Sequence, residues 1–335
     1  MDAHDNAGCG RLSTDRRTLL AGLGAAAMAA MGGEALARSR QPFFARHGQP
    51  IGIQLGSLGS VAGRDVDATF ARLAQIGYRE IELTSLLGLP AAQFGAAAKR
   101  AGLAISSLHL PLMAMGGAGA LSMLSEPARI ADALGALGAR WAVAPILLIP
   151  AGFRPQPGEG MEAAISRTVT SAGADIWKQT AEVLNRKGEE LRKVGIGVAY
   201  HNHNLDFAPI SRATGGQTTG WEILWRETQP DLVGYELDIG WVQLAGLDPV
   251  LFLDKARGRV KLLHVRDMSA SQPRGYRVAM GSPAVGTGTL DWQRILPAAY
   301  RAGARHFLVE QEPGAGIVPI DAASDAYTFL SRLRA

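Results

Sequence analysis

The sequence predicts one α/β domain in which eight strand–helix units close into a (β/α)8 barrel. Short apolar runs alternate with amphipathic stretches along the chain from Ile51 onward. Such runs are typical of buried parallel strands, and the stretches between them have a helical period. Eight alternations in roughly 300 residues favour a closed barrel over an open doubly wound sheet. The predicted strands are Ile51–Leu55, Glu80–Leu83, Ala104–Leu108, Trp141–Ile146, Ile196–Tyr200, Leu232–Leu237, Val260–Val265 and Phe307–Val309.

The helical stretches carry start and stop signals of their own. Asp248 and Asp291 each precede a helical stretch and are typical N-cap residues. Gly77 and Gly303 each follow one and suit the left-handed conformation that ends many helices. The predicted helix from 161 to 193 is long enough to contain a break. The predicted helices are Val66–Ile76, Pro90–Ala101, Glu126–Leu137, Met161–Lys193, Trp221–Thr228, Pro249–Ala256, Trp292–Ala302 and Ala322–Leu333.

The start of the chain has the marks of an export signal. The pair Arg16 and Arg17 precedes an apolar run rich in Ala and Gly, and a small-x-small cleavage site ends at Ala37. The run is too short for a membrane-spanning helix, so we expect a periplasmic protein with no stable membrane anchor. The predicted boundaries are 1–37 for a twin-arginine signal peptide, 38–48 for a flexible linker and 49–335 for the barrel.

Charge and cysteine content exclude several classes of function. The formal net charge is +4, and the basic residues are spread along the chain without a cluster. Proteins that bind nucleic acid usually carry a basic patch, so we expect none as a partner. The single cysteine, Cys9, lies in the predicted leader, which excludes disulfides and thiol catalysis from the mature chain. We expect a small-molecule partner, and the sequence leaves a homo-oligomer open.

Four consecutive predicted strands each end in a residue that can bind a metal ion. These residues are His201, Asp238, His264 and Glu310, on the fifth to eighth strands. Each has an ordinary structural explanation on its own, such as a helix cap or a core histidine. The carboxyl ends of barrel strands meet at one rim, however, where barrel enzymes keep their active sites. Two imidazoles and two carboxylates therefore predict one divalent ion, Mn²⁺, Mg²⁺, Co²⁺ or Zn²⁺.

Further polar or aromatic residues lie at or near the same rim. His201 and His203 are two apart on an extended chain, so we expect them to point the same way. The glycine-rich stretch 281–288 lacks the ending of a phosphate-binding loop and predicts a turn that leads into a helix. Each candidate also has a structural alternative, such as core packing for the tryptophan or an ion pair at a strand end. The candidates for substrate binding are His109, Glu82, Gln54, Trp241, Arg266 and Asp267.

The motifs YHNHNLDF, ELDIGW, LLHVRD, VGTGTLDW and FLVEQE resemble the xylose-isomerase-like barrels, in particular the sugar phosphate isomerase/epimerase group. The resemblance implies one divalent metal held by strands five to eight, commonly through Glu, Asp, His and Glu. The last three ligands carry over to Asp238, His264 and Glu310. The first position departs from the family pattern, because many relatives read Glu-x-His where this chain has His201 and His203.

That departure changes the expected chemistry. Inverting a carbon with two bases needs a proton carrier on each face of the substrate. A metal-bound His201 has no free lone pair, so Glu310 is the expected main base, with His203 as the second catalytic candidate. The resemblance implies an isomerase or epimerase that acts on a keto-sugar or keto-glycoside through a metal-stabilised enediolate. A lyase that eliminates from a 3-keto-glycoside or keto-inositol is one alternative, and a non-catalytic exported sugar-binding barrel is another.

Overall fold

The computed structural model describes residues 41–113, 120–150, 153–211, 215–277, 281–312 and 317–335. The predicted signal peptide, residues 1–37, lies outside these ranges, as do the first three residues of the predicted linker. Among the helices of the described residues, none is long and apolar enough to cross a membrane.

Eight parallel strands close into a barrel, as the sequence predicted. They pair in chain order, and the last strand pairs with the first. Two further strands, β6 (Pro209–Ser211) and β7 (Gln217–Thr219), form a separate antiparallel hairpin. The barrel strands are β1 (Gly52–Gln54), β2 (Glu80–Leu83), β3 (Ala104–His109), β4 (Trp141–Ala144), β5 (Gly197–His201), β8 (Val233–Asp238), β9 (Val260–Val265) and β10 (His306–Val309).

Helices pack around the outside of the barrel and alternate with its strands. Two short 3-10 helices, Leu55–Val61 and Asn204–Phe207, follow β1 and β5. The α-helices are α1 (Phe43–His47), α2 (Val66–Ile76), α3 (Ala91–Ala101), α4 (Pro127–Leu137), α5 (Met161–Arg192), α6 (Gly220–Glu227), α7 (Ile239–Leu244), α8 (Pro249–Lys255), α9 (Trp292–Ala302) and α10 (Pro319–Arg332).

The predicted caps and the predicted helix break are confirmed, whereas α10 begins at Pro319, three residues before its predicted start. The Asp248 carboxylate accepts hydrogen bonds from two backbone N–H groups of α8, and Asp291 accepts one from α9. Gly77 has φ of +127° and follows α2, where an added Cβ would lie 2.2 Å from the Tyr327 ring. The long helix α5 contains the expected break, because Gly173 has non-helical angles inside it.

The predicted flexible linker is wrong over its second half. Residues 43–47 form helix α1, and both Phe43 and Phe44 are buried. The backbone N–H of Phe43 donates to the carbonyl of Leu333, and both phenyl rings contact Phe307 on β10. Burying a phenylalanine contributes about 1.5–3 kcal/mol, which anchors this segment despite its polar neighbours. The compact unit therefore begins at Pro42.

A small apolar layer lies inside the barrel beneath its carboxyl-terminal rim. Leu262 is two residues before His264, and Leu308 is two residues before Glu310, so each shares a face with the rim residue above it. They pack with Val143 from β4 and with an alanine of β5. These apolar side chains leave little room for water directly below the rim residues.

Candidate active site

The four predicted metal ligands converge at the carboxyl-terminal end of the barrel. His201 ends β5, Asp238 ends β8, His264 lies in β9, and Glu310 directly follows β10. Each of the four offers one ligand atom, and these atoms all lie within 4.8 Å of one another. We call these four residues the upper cluster.

The donor atoms of the upper cluster fit a divalent cation. His264 Nδ1 lies 2.5 Å from Glu310 Oε2 and 3.9 Å from Asp238 Oδ2. His201 Nδ1 is buried, and among the described residues it has no hydrogen bond shorter than its 3.5 Å approach to Glu236 Oε2. A buried polar atom without a partner costs about 1–3 kcal/mol. Metal–ligand bonds of about 2.0–2.2 Å place opposite ligands roughly 4 Å apart, close to the spread seen here. The cluster could therefore hold one such ion.

Arg266 holds the two carboxylates of the upper cluster in place. Its Nε donates to Asp238 Oδ2 at 2.8 Å, and its Nη2 lies 2.8 Å from Glu310 Oε1. The guanidinium also stacks over the Trp241 ring, with 4.7 Å from its central carbon to the ring centroid. Both Arg266 and Trp241 are fully buried. Arg266 and Trp241, two of the predicted substrate contacts, thus pack behind the carboxylates of the upper cluster.

Asp267, the other predicted substrate contact in this segment, binds the loop before α9 and does not face the site. Its carboxylate accepts hydrogen bonds from the backbone N–H groups of Gly286, Gly288 and Leu290, and from the indole N–H of Trp292. A Cβ at Gly288 would lie 2.2 Å from Asp267 Oδ1, so this approach requires glycine. The glycine-rich stretch is the predicted turn into a helix.

A second cluster of imidazoles and carboxylates shares His264 with the upper cluster. His264 Nε2 lies 2.7 Å from Glu82 Oε1 and 3.3 Å from Glu236 Oε2. His109 Nε2 lies 2.9 Å and 3.0 Å from the same two oxygens. The Ser107 hydroxyl donates to Glu82 Oε2 at 2.6 Å. We call Glu82, His109, Glu236 and His264 the lower cluster, because Glu236 lies two residues below Asp238 on β8.

Sequence reasoning missed Glu236. This residue is fully buried, and it lies within 3.5 Å of His109, His201 and His264. A signal for it was present, because a glutamate two residues before Asp238 on the same strand must share the face of that ligand. A carboxylate inside an otherwise apolar strand also needs a partner.

The lower cluster is a network of opposite charges. Burial alone would lower the pKa of His109, but Glu82 and Glu236 outweigh this and raise it to about 10. Burial would likewise lower the pKa of His264, but Glu236, Glu310 and Glu82 raise it well above its usual value. The pKa of Glu236 is depressed, because its imidazole partners outweigh the effect of burial. Both carboxylates are thus positioned to hold and orient imidazoles.

A cavity of about 250 Å³ opens beside the upper cluster. His109, His201, His203, Glu310 and Gln54 line it, so both predicted catalytic residues and two predicted substrate contacts meet there. Glu82, Trp241, Arg266 and Asp267 lie behind this lining.

His201 and His203 point the same way, as their spacing predicted, with ring centroids 4.8 Å apart. The asparagine between them, Asn202, donates to the carbonyl of Asp238 and accepts from its N–H, which ties the end of β5 to the end of β8. Burial and the nearby His201 lower the pKa of His203 well below its usual value, so His203 is neutral. The neutral ring of His203 lines the cavity beside His201.

These features define a parallel α/β barrel whose carboxyl-terminal rim could hold a divalent cation beside a small polar cavity. The model of the xylose isomerase-like TIM barrel family matches residues 70–332, and the chain belongs to that family.

Named relatives are enzymes with sugar-like substrates. An inosose dehydratase from Lacticaseibacillus casei is 30% identical over 172 residues, which cover 47% of this chain and 54% of that protein. The match therefore spans about half the length of that relative. A sugar phosphate isomerase/epimerase from Parabacteroides distasonis has a TM-score of 0.66 and 24% identity, over 85% of this chain and 94% of that one. The 3-keto-D-glucoside 4-epimerase of E. coli has a TM-score of 0.53 and 18% identity, over 84% and 98%.

Proposed function

We propose that this protein is a divalent-metal-dependent enzyme that removes a proton alpha to the carbonyl of a keto-sugar or keto-glycoside. The observation that carries the proposal is Glu310. One of its oxygens is held by Arg266, the other lies 2.5 Å from His264 Nδ1, and the residue lines the cavity. Two relatives support the substrate class, because their names describe an inosose and a 3-keto-D-glucoside.

The upper cluster, His201, Asp238, His264 and Glu310, would hold the metal. When bound, such an ion supplies a Lewis acid that polarises a carbonyl oxygen, an effect worth several kcal/mol. The donor set of two imidazoles and two carboxylates suits Mn²⁺, Co²⁺ or Zn²⁺ as well as Mg²⁺.

The proton transfer itself is assigned to the chain's own side chains. Burial would raise the pKa of Glu310, but Arg266 and His264 outweigh it and hold the pKa well below the usual range, so Glu310 is ionised and can accept a proton. Arg266 fixes the orientation of the carboxylate. His203 is neutral and lines the same cavity, and it is the second group that can take or return a proton there.

Elimination is the second candidate, and His109 favours it. This imidazole lines the cavity and is kept protonated by the two carboxylates of the lower cluster. An elimination needs a base at the alpha carbon and an acid for the leaving group, and Glu310 with His109 supplies one of each. An epimerisation would instead draw on Glu310 and His203.

The test is exchange of the alpha hydrogen into deuterated water. The metal-loaded enzyme is incubated with a 3-keto-glucoside or a ketohexose, and NMR follows both deuterium incorporation and the product. Glu310→Gln keeps an oxygen near the metal and removes the proton acceptor, so exchange is expected to fall about 10²–10⁴-fold. The product separates a 4-epimer from an eliminated enone. Undiminished exchange in Glu310→Gln would move the base to another residue. No exchange by the wild type on either keto substrate would favour the sugar-binding alternative.

We also propose export by the twin-arginine route, on the strength of the sequence of residues 1–37. Changing Arg16 and Arg17 together to lysine is expected to retain the precursor in the cytoplasm. Fractionation followed by immunoblotting measures this, and mature protein outside the cytoplasm in the double variant would contradict the proposal.

A further inference from the structure

A second and larger cavity adjoins the cavity at the metal ligands. Its volume is about 910 Å³, and Thr84 and His109 line both cavities. It lies where β2 and β3 end, between the start of α3 and one face of α4. Its lining is largely aliphatic and includes Leu86, Leu87, Leu89, Leu108, Leu110 and Leu121. We call it the leucine groove.

Leu87 shows two unfavourable features at one position of the leucine groove. Its φ is +50°, and among the described residues it is the non-glycine with a positive φ. This left-handed conformation is unfavourable for a residue with an ordinary side chain. The side chain is also 47% exposed, although it is large and apolar. Strained residues of this kind concentrate at ligand sites, where the surroundings hold a side chain in a useful position.

The two adjoining cavities suit two different parts of one substrate. The cavity beside the upper cluster, which we call the catalytic cavity, has a volume of about 250 Å³. This is smaller than the roughly 300–1,000 Å³ of most ligand pockets. It suits one polar sugar ring. The adjoining groove provides apolar space, and its charged lining residues Arg129 and Asp132 have opposite signs. The groove therefore suits a neutral, apolar group attached to that ring.

We propose that the leucine groove binds the apolar aglycone of a glycoside, so that the substrate is a keto-glycoside with an aromatic or aliphatic aglycone and not a free sugar. This rests on the proposed function for the ring that occupies the catalytic cavity. The groove contributes affinity and selectivity for the aglycone, and the proton transfer stays at the metal-ligand rim.

Two paired measurements test the inference. The first compares kcat/KM for phenyl and methyl 3-keto-β-glucosides, and the second compares the Kd of phenyl and methyl β-glucosides by calorimetry, which needs no turnover. We expect a preference for the phenyl compound of about tenfold or more in both, the scale of a modest apolar contact. Leu87→Asn should reduce that preference by about threefold or more, because asparagine tolerates positive φ but supplies no apolar surface. Leu124→Asn is the matched control, since Leu124 is 44% exposed and lies outside the groove's described lining.

The outcomes separate this inference from the proposed function. Equal Kd values for the phenyl and methyl glucosides, or an equal effect of the two leucine substitutions, would overturn the aglycone site whatever the enzyme does to ketones. A phenyl preference in Kd that depends on Leu87, without turnover of either keto compound, would support the groove and count against the proposed reaction.

Discussion

The upper and lower clusters use the same kinds of side chain in different ways, and they share His264. In the lower cluster the Nε2 atoms of His109 and His264 face carboxylate oxygens at 2.7–3.3 Å, so opposite charges pair within the protein. In the upper cluster the two carboxylates pair with Arg266, Glu310 Oε2 also lies 2.5 Å from His264 Nδ1, and His201 Nδ1 has no carboxylate partner closer than 3.5 Å among the described residues. The lower cluster is held mainly by contacts among its own members, whereas the upper cluster faces the cavity through His201 and Glu310, where a ligand could bind.

The difference shows how one imidazole can serve both clusters. A histidine that binds a metal through one nitrogen usually gives its other N–H to a carboxylate, which fixes the ring and its tautomer. His264 has Nδ1 in the upper cluster and Nε2 beside Glu82 and Glu236. We propose that the lower cluster tunes a metal ion held by the upper cluster, although its own four residues also lie close enough together to hold one.

The largest expected effect comes from Asp238→Asn. The amide keeps the volume and the cap on α7, where Asp238 Oδ1 accepts from the N–H of Trp241, but it removes the charge. We expect purified Asp238→Asn to lose its stoichiometric metal by elemental analysis, and activity to vanish with it. Alanine is a poorer choice, because removing a partner of the buried Arg266 costs about 3–5 kcal/mol.

Glu312→Gln is the matched control for that substitution. Glu312 also approaches Arg266, at 3.4 Å, but lies outside the upper cluster, so its metal content should not change. Full metal in Asp238→Asn would refute the upper cluster as the binding site.

A smaller effect is expected from Glu236→Gln in the lower cluster. Outer carboxylates that orient a ligating histidine typically contribute 10–100-fold in metal affinity, so the Kd for Mn²⁺ should rise by about that factor without loss of binding. Competition with a chelator measures it. Glu80→Gln is the control, since Glu80 lies two residues before Glu82 on β2 and pairs with His306, outside the lower cluster. Complete loss of metal in Glu236→Gln would instead place the ion in the lower cluster.

Ser107→Ala tests how far the lower cluster contributes to stability. Its hydroxyl donates to the buried Glu82 carboxylate at 2.6 Å, and hydrogen bonds to charged groups contribute about 1.5–3 kcal/mol. We expect the free energy of unfolding, from urea denaturation, to fall by that amount. Ser106→Ala removes a hydroxyl whose partners are neutral, the carbonyl of Ile81 at 3.4 Å and the Ser107 hydroxyl at 3.3 Å, and should cost less. Equal losses would mean that the charge of Glu82 adds nothing.

The smallest expected effect concerns Asp206, a buried carboxylate that belongs to neither cluster. Its described partners are the Tyr200 hydroxyl and the N–H of His203, and burial raises its pKa to about 8. Between about pH 4 and 8 the folded state therefore holds a proton that the unfolded state has lost, so stability falls as pH rises. The slope is at most about 1.4 kcal/mol per pH unit.

Asp206→Asn removes that proton linkage and should flatten the decline. Urea denaturation at pH 5, 6 and 7 measures it, as the difference between the wild type and the variant. If the free energies of unfolding of the wild type and Asp206→Asn changed in parallel with pH, Asp206 would be ionised in the folded protein over this range.

The sequence by itself determined the barrel and the candidate ligands. Strand and helix periods separate eight units, and the alternation of side chains along a strand decides which residues face inward. That is why His201, Asp238, His264 and Glu310 could be predicted to share a rim, and why His201 and His203 could be predicted to share a face. The caps at Asp248 and Asp291 could likewise be predicted, because an N-cap side chain bonds to backbone N–H groups only two or three residues away.

Only the tertiary structure decided how the polar residues pair. Glu82 and His264 are 182 residues apart, and closing the barrel brings their side chains to 2.7 Å. The same closure assigns Arg266 to the ligand carboxylates and turns Asp267 towards the loop before α9. The packing of α1 and the leucine groove also depend on contacts between distant segments. Periodicity specifies the direction of a side chain along its own strand, whereas its partner across the barrel is set by strand register and closure.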